Sequence, residues 1–178
     1  RKKMAETEFT FLITQVQSVL DVDLRSGLDH RIELPFNHPC TELIWAFREE
    51  DSELNNDWFN YSQRNNDYGT PILPFMSEAR LVLDGKDRNT ATKASVLSRV
   101  NIYNYHTSRS EKAIYTIPFC ASPEKWFPTG SLNFSKISHA TLNVTFVKGI
   151  QPVKANIFTR NFNLISIKNG EVFLAFSS

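Results

Sequence analysis

The stretch Val153–Phe176, VKANIFTRNFNLISIKNGEVFLAF, decides the fold. Two apolar runs, Val153 to Lys168 and Glu171 to Phe176, flank Asn169-Gly170. Both residues of that dipeptide tolerate the positive φ of a type I′ turn, so the stretch is predicted to be a β-hairpin. Upstream, His139 to Val147 alternates. Leu142, Val144 and Phe146 fall on one face and Thr141, Asn143 and Thr145 on the other, the period of a half-buried strand. Ala113 to Phe119 places Tyr115, Ile117 and Phe119 on one face. Pro118 inside that run marks an edge or a bend, because proline brings no N–H to a ladder. Leu132 to Ile137 reads as a short strand. Ser122 to Thr129, with Pro123 and Pro128, reads as a loop.

The first half repeats the pattern. Phe9 to Leu24 alternates with one break: Phe9, Phe11 and Ile13 are odd, Val16, Leu20, Val22 and Leu24 even. A β-bulge near Thr14-Gln15 would swap the faces in this way. Arg25-Ser26-Gly27 reads as a turn, and His30 to Phe36 puts Ile32, Leu34 and Phe36 on one face. Thr41 to Arg48 is apolar on both faces, so it is predicted to be a central strand covered on both sides. Glu49 to Thr70 is a long polar excursion pinned by Trp58, Phe59, Tyr61 and Tyr68. Excursions of this length inside a compact domain tend to be interaction surfaces. Glu78 to Leu83 is a strand ending at the turn Asp84-Gly85. Asn89 to Arg99 is the one plausible helix of any length, with Asn89 or Thr90 as its cap.

The elements add up to an all-β fold. The predicted architecture is an antiparallel eight-stranded jelly-roll sandwich with long loops and one or two short helices. Parallel βαβ units are excluded because helices do not alternate with strands. The chain of 178 residues fits one domain, 41% hydrophobic and 12% aromatic with 14 Phe, a mix that favours strands. Residues 1–8 are assigned as an N-terminal arm or linker and residues 9–178 as a single jelly-roll domain. Twenty basic and 19 acidic residues give a net charge of +1, which supplies no bulk attraction for nucleic acid. The opening Arg1-Lys2-Lys3-Met4 runs into Glu6 and Glu8 with no apolar core of a signal peptide. Because the first residue is not Met, the chain is expected to be a fragment or a processed product.

Nothing in the inventory amounts to an active site, and no catalytic residue, metal or cofactor is expected. His30, His38, His106 and His139 lack the close spacing of metal ligands and read as turn or surface residues, with His38 bonding a turn backbone. The run Glu49-Glu50-Asp51-Ser52-Glu53 reads as a solvated loop. Cys40 and Cys120 read as reduced, buried small hydrophobes. Asn-x-Ser/Thr patterns at Asn60, Asn133 and Asn143 read as chance matches, since nothing marks secretion. Trp58, Phe59, Tyr61, Tyr68, Lys125 and Trp126 are the candidate inter-subunit or surface contacts, because exposed aromatics favour interfaces.

Three segments together carry a resemblance. They are Leu34-Pro35-Phe36-Asn37-His38-Pro39-Cys40-Thr41-Glu42-Leu43-Ile44-Trp45, Pro128-Thr129-Gly130-Ser131-Leu132-Asn133-Phe134-Ser135-Lys136-Ile137, and the ending from Asn156 to Ser178. With Gln15-Val16-Gln17 ahead of them, they resemble the C-terminal half of the major capsid proteins of nucleocytoplasmic large DNA viruses. Phe36, Asn37, His38, Pro39, Gly130, Ser131, Asn133, Phe134 and Ser135 carry the motifs. The likeness runs from about Phe9 to Ser178 and departs at Leu97 to His106, where Asn101-Ile102-Tyr103-Asn104-Tyr105 replaces the family's usual stretch.

The resemblance implies a double jelly-roll parent of which this chain is the second barrel. It implies homotrimers of pseudo-hexagonal outline, and contacts with neighbouring capsomers and minor capsid proteins. It further implies an underlying lipid membrane and no sequence-specific nucleic acid. The expected location is the virion, with assembly in the host cytoplasm. Two alternatives stand beside it: a carbohydrate-binding jelly-roll module using Trp58, Phe59 and Tyr61, and a single jelly-roll minor or vertex capsid protein.

Overall fold

The computed structural model describes residues 8–24, 27–52, 54–63, 73–148 and 152–176. The strands are β1 (Phe9–Leu24), β2 (Asp29–Glu33), β3 (Pro39–Glu49), β4 (Met76–Leu83), β5 (Lys86–Asp87), β6 (Thr92–Lys93), β7 (Ile114–Pro118), β8 (Leu132–Asn133), β9 (Ala140–Phe146), β10 (Val153–Lys168) and β11 (Glu171–Leu174). A π-helical turn, Val96–Val100, leads into a short helix α1 (Asn101–Tyr105). Sheet one runs β1-β10-β3-β7, with β11 beside β10 and β8 beside β3. Sheet two runs β2-β9-β4-β5, with β6 also on β4. All pairs are antiparallel. The pairs nest: β1 with β10, β2 with β9, β3 with β7, and β4 with the broken strand β5/β6. That nesting is the jelly roll, with its eighth strand split into two short pieces.

The core lies between the sheets. Trp45 stacks on Tyr115 at 5.7 Å, and Phe47 meets Phe146 edge-on at 5.0 Å, joining sheet one to sheet two. Leu43, Trp45, Phe47, Leu81, Leu142 and Ile157 are wholly buried. As predicted, β3 is the covered central strand: β10 and β7 flank it, and most of its residues are buried on both faces. Pro118 sits on β7, the edge opposite β1. The Asn169-Gly170 turn has φ of 53° and 82° and closes β10 onto β11 with Lys168 opposite Glu171.

Four details differ from the sequence reading. The β1 bulge lies between Val19 and Val22, not near Thr14-Gln15. Asp21 there adopts φ 54°, its N–H donates to Asn156 Oδ1 at 2.8 Å, and its carboxylate meets Arg48 at 3.3 Å. Gln15, Gln17 and Val19 therefore lie on the half-buried side, and Val16 and Leu20 point outward. The helical segment occupies residues 94–105 instead of 89–99. Asn89 is not its cap: its Oδ1 accepts the Leu81 N–H and its amide donates to Thr92 Oγ1, tying β4 to β6. The strand expected at Leu132–Ile137 stops at Asn133, whose Oδ1 accepts the Ser135 N–H and starts a 3-10 turn, Phe134–Lys136. Finally, the histidines are not all surface groups, since His38 is buried and His106 meets a buried carboxylate.

Several readings fall outside the described residues: the basic start Arg1-Lys2-Lys3 with most of the 1–8 arm, Arg25-Ser26 of the first turn, and Tyr68. No helix among the described residues is long and apolar enough to cross a membrane.

Candidate functional site

The motif residues singled out in the sequence come together at one end of the sandwich. His38 turns the chain with φ 71°, and its N–H donates to Ser135 Oγ at 2.8 Å. The Phe134 N–H donates back to the His38 carbonyl at 3.0 Å. Pro39 pairs with Asn133 and Cys40 with Leu132, while the Asn37 N–H donates to Gln17 Oε1 at 2.9 Å. Phe36 and Phe134 are buried and meet edge-on at 6.3 Å. Gly130 holds φ 131°, and a Cβ there would lie 3.3 Å from Cys120 Cα. These residues form a cross-brace that closes the barrel end, and only Ser131 stands apart, exposed. His38 acts through its backbone, and its ring lies 6.0 Å from that of Phe176.

The candidate contact residues divide into two groups. Trp58 and Phe59 are exposed and Tyr61 is half-buried. Arg48 lies 5.3 Å from the Trp58 ring, and Lys112 lies 5.2 and 5.6 Å from Phe59 and Tyr61. Cations of the same chain thus stand over these rings, which pins the loop to the barrel. Lys125 and Trp126 are on the second loop. Trp126 is 83% exposed, stands edge-on to Phe127 at 5.5 Å, and has Lys125 over that neighbour at 5.2 Å. The root of this loop is tightly bonded: Thr129 Oγ1 accepts the Ser122 N–H and donates to the Ser122 carbonyl.

The sequence reading missed a polar bridge. Glu42 projects from the outer face of β3, yet its side chain is only 2% exposed. His106, just beyond α1, places Nε2 2.6 Å from Glu42 Oε1 and Nδ1 3.1 Å from Glu124 Oε1. The Thr107 N–H donates to Glu124 Oε2 at 3.1 Å. Burial pushes the Glu42 carboxyl above its ordinary pKa, opposed by the hydrogen bond and charge of His106 and by Arg160, its neighbour on β10. Glu124 is held below the usual carboxylate range, first by its bonds to Thr107. Both imidazole nitrogens are satisfied when His106 is an imidazolium, or when Glu42 carries the second proton. The signal in the sequence was Glu42 itself, a carboxylate inside an apolar strand, which requires a partner.

The other missed feature is an apolar band on sheet one. The 119–131 loop and the segment after α1 cover Glu42 on β3, but the β1 side is open. Leu12, Val16 and Leu20 on outward positions of β1 are 44, 68 and 56% exposed. Val172, Phe173, Leu174 and Phe176 of the terminal hairpin are exposed as well.

The three glycosylation-type asparagines all lie within the fold: Asn60 donates to Asp57, Asn133 caps the 3-10 turn, and Asn143 lies on the central strand β9. Cys40 is buried and Cys120 half-buried, both unpaired, and burial pushes the Cys40 thiol up to about 12. Among the described residues no cluster of His, Cys, Asp and Glu is placed to hold a metal ion.

Comparison with known proteins accounts for this arrangement. The chain is 24% identical to the major capsid protein of Phaeocystis pouchetii virus, over all of this chain and 50% of that protein. It is 26% identical to the major capsid protein of Pyramimonas orientalis virus, over all of this chain and 46% of the relative. The chain therefore spans about half the length of these curated relatives. Its fold matches a chain of the PBCV-1 virus capsid with a TM-score of 0.84 at 22% identity, covering 99% of this chain and 54% of that one. The family model for large eukaryotic DNA virus major capsid proteins matches residues 1–172, and the chain belongs to that family.

Proposed function

We propose that the chain is a structural subunit of an icosahedral viral capsid, the C-terminal jelly roll of a major capsid protein. Residues 9–178 form the barrel and residues 1–8 the arm that leads into it. In this reading three double-barrel chains form a pseudo-hexagonal capsomer. Capsomers tile a shell with minor capsid proteins over an internal membrane, assembled in the host cytoplasm and carried in the virion. The observation that supports it best is the apolar band of Leu12, Val16, Leu20 and the β11 hairpin on an otherwise well-packed sandwich. Exposed apolar residues on the outward face of a 16-residue edge strand mark a docking surface and demand cover. The near-zero net charge fits close packing of many copies. The stiff, doubly braced barrel fits a mechanical role with no reaction to perform.

Electron microscopy of the full-length parent tests this. Trimers or shell patches are expected, and monomers that persist at high concentration would overturn it. Charge reversals in the Glu49–Thr70 and Ser122–Thr129 loops should impair assembly and leave the thermal stability of the barrel little changed. Unaltered assembly would remove those loops from the contact surface.

A further inference from the structure

We propose that the groove beside α1 binds a phosphate monoester carrying a single apolar chain. The proposal goes beyond the capsid reading and does not depend on it. The groove has two ends. The wide end is about 520 Å³ and runs along Val100, Ile102 and Tyr103. The narrow end is about 160 Å³ and is lined by Pro74, Ala94, Ser95, Arg99, Lys112 and Ala113 among others, with no carboxylate among the described residues. Ser98, Arg99 and Ser110 line both ends, so the two volumes adjoin. Val100 and Tyr103 are 48 and 68% exposed, which leaves the apolar wall open to solvent.

Charge and shape together select the ligand. Arg99, Arg109 and Lys112 line the groove with Glu111 as the one acid, and none of the four makes an ion pair among the described residues. The surplus is positive, and its cations at the narrow end are Arg99 and Lys112. An oxyanion there gains charge-assisted hydrogen bonds from both side chains. A phosphate monoester, with up to two negative charges, matches two cations better than a carboxylate does. Glu111 lines only the wide end, where the uncharged chain lies. That end falls within the range of about 300–1,000 Å³ typical of ligand pockets, and its apolar wall favours hydrocarbon.

Both walls are fixed before any ligand arrives. On the helical wall, Asn101 Nδ2 donates to the Thr116 carbonyl at 2.7 Å, fastening α1 to β7, and Ser98 Oγ donates to the Ala94 carbonyl at 2.8 Å. On the opposite wall, the Lys112 N–H donates to Ser110 Oγ at 3.1 Å, and that hydroxyl donates to the Lys112 carbonyl at 3.2 Å. The Lys112 ammonium stands 5.2 and 5.6 Å from the Phe59 and Tyr61 rings, and the Arg109 guanidinium 5.5 Å from the Tyr103 ring. Ring contacts of this kind hold a cation in place and leave its charge unneutralised. A site preformed in this way loses less entropy on binding.

The test titrates the full-length protein with octyl phosphate below its micelle-forming concentration, by isothermal titration calorimetry. Inorganic phosphate, octanoate and octyl glucoside are the comparison probes. Each buried methylene contributes about fourfold, so octyl phosphate should bind about 100-fold or more tighter than inorganic phosphate. It should also bind tighter than octanoate and octyl glucoside. Arg99→Gln should weaken octyl phosphate about 10-fold or more and leave octyl glucoside unchanged. Val100→Asp should bring octyl phosphate down toward inorganic phosphate. Both positions are exposed, so neither change disturbs the core. Val16→Asp, on the open face of β1, should change nothing. The proposal is overturned if octyl phosphate binds no better than inorganic phosphate, or if Arg99→Gln and Val100→Asp leave its affinity intact. It is equally overturned if Val16→Asp abolishes binding, because the apolar band on sheet one is then the site. Octanoate binding as tightly as octyl phosphate overturns the assignment of a phosphate head group.

Discussion

Replacing His106 with alanine is the sharpest probe of how the outer loop is fastened to the barrel. Glu42 is 2% exposed and draws its main hydrogen bond from His106 at 2.6 Å. Removing one partner of a buried pair leaves a charge uncompensated, at a cost of about 3–5 kcal/mol. Arg160 remains on the neighbouring strand, which places the expected loss toward the lower end. For a domain of this size that is a fall in Tm of roughly 6–20 °C.

The pH dependence has a definite sign. Burial already raises the Glu42 pKa in the fold, and loss of His106 removes two influences that lower it. Between the usual carboxylate range and that raised value, the folded state binds more protons than the unfolded state, so stability falls as pH rises. His106→Ala should therefore be most damaging at pH 8 and recover steadily toward pH 5. Replacing the pair with apolar groups, Glu42→Met with His106→Leu, should restore stability to within about 1.5 kcal/mol of wild type. Urea unfolding at four pH values measures all three chains. A His106→Ala cost below about 1 kcal/mol at pH 8, or one that grows on acidification, refutes the reasoning.

Three further outcomes follow from the packing. Gly130→Ala should lower stability by about 1–3 kcal/mol in urea unfolding, because φ 131° is closed to other residues and the new Cβ would press on Cys120 Cα. Trp45→Ala should cost about 3–5 kcal/mol, since the indole is wholly buried between the sheets and stacked on Tyr115. Cys40, with its thiol pushed up to about 12, should resist alkylation in the native protein at pH 8 and react only on unfolding, while half-buried Cys120 reacts first.

Most strands were legible from the contrast between a covered and an open face, and β3 from being apolar on both. Leu142, Val144 and Phe146 alternate against Thr141, Asn143 and Thr145, and the Asn169-Gly170 turn announces its own geometry. The β1 bulge was misplaced because the usual sign inverts there: Gln15 and Gln17 face the half-buried side and make hydrogen bonds, while Val16 and Leu20 face outward. Val16 and Leu20 are apolar yet exposed, and periodicity alone cannot separate such residues from core. The helix was shifted because Asn89 offers cap chemistry but spends it on Leu81 and Thr92. The 36–40 and 130–135 motifs were visible as motifs. Their joint role as a brace depends on hydrogen bonds across nearly 100 residues of chain, such as His38 to Ser135. The Glu42–His106–Glu124 bridge was hidden for the same reason.

The most direct test of the central claim is a cryo-electron-microscopy map of the assembled full-length protein at side-chain resolution. The account expects this sandwich to be a repeating unit of a shell, with Leu12, Val16, Leu20 and the β11 hairpin covered by protein. A shell in which that face is bare to solvent, or a full-length protein that forms no shell, would contradict it.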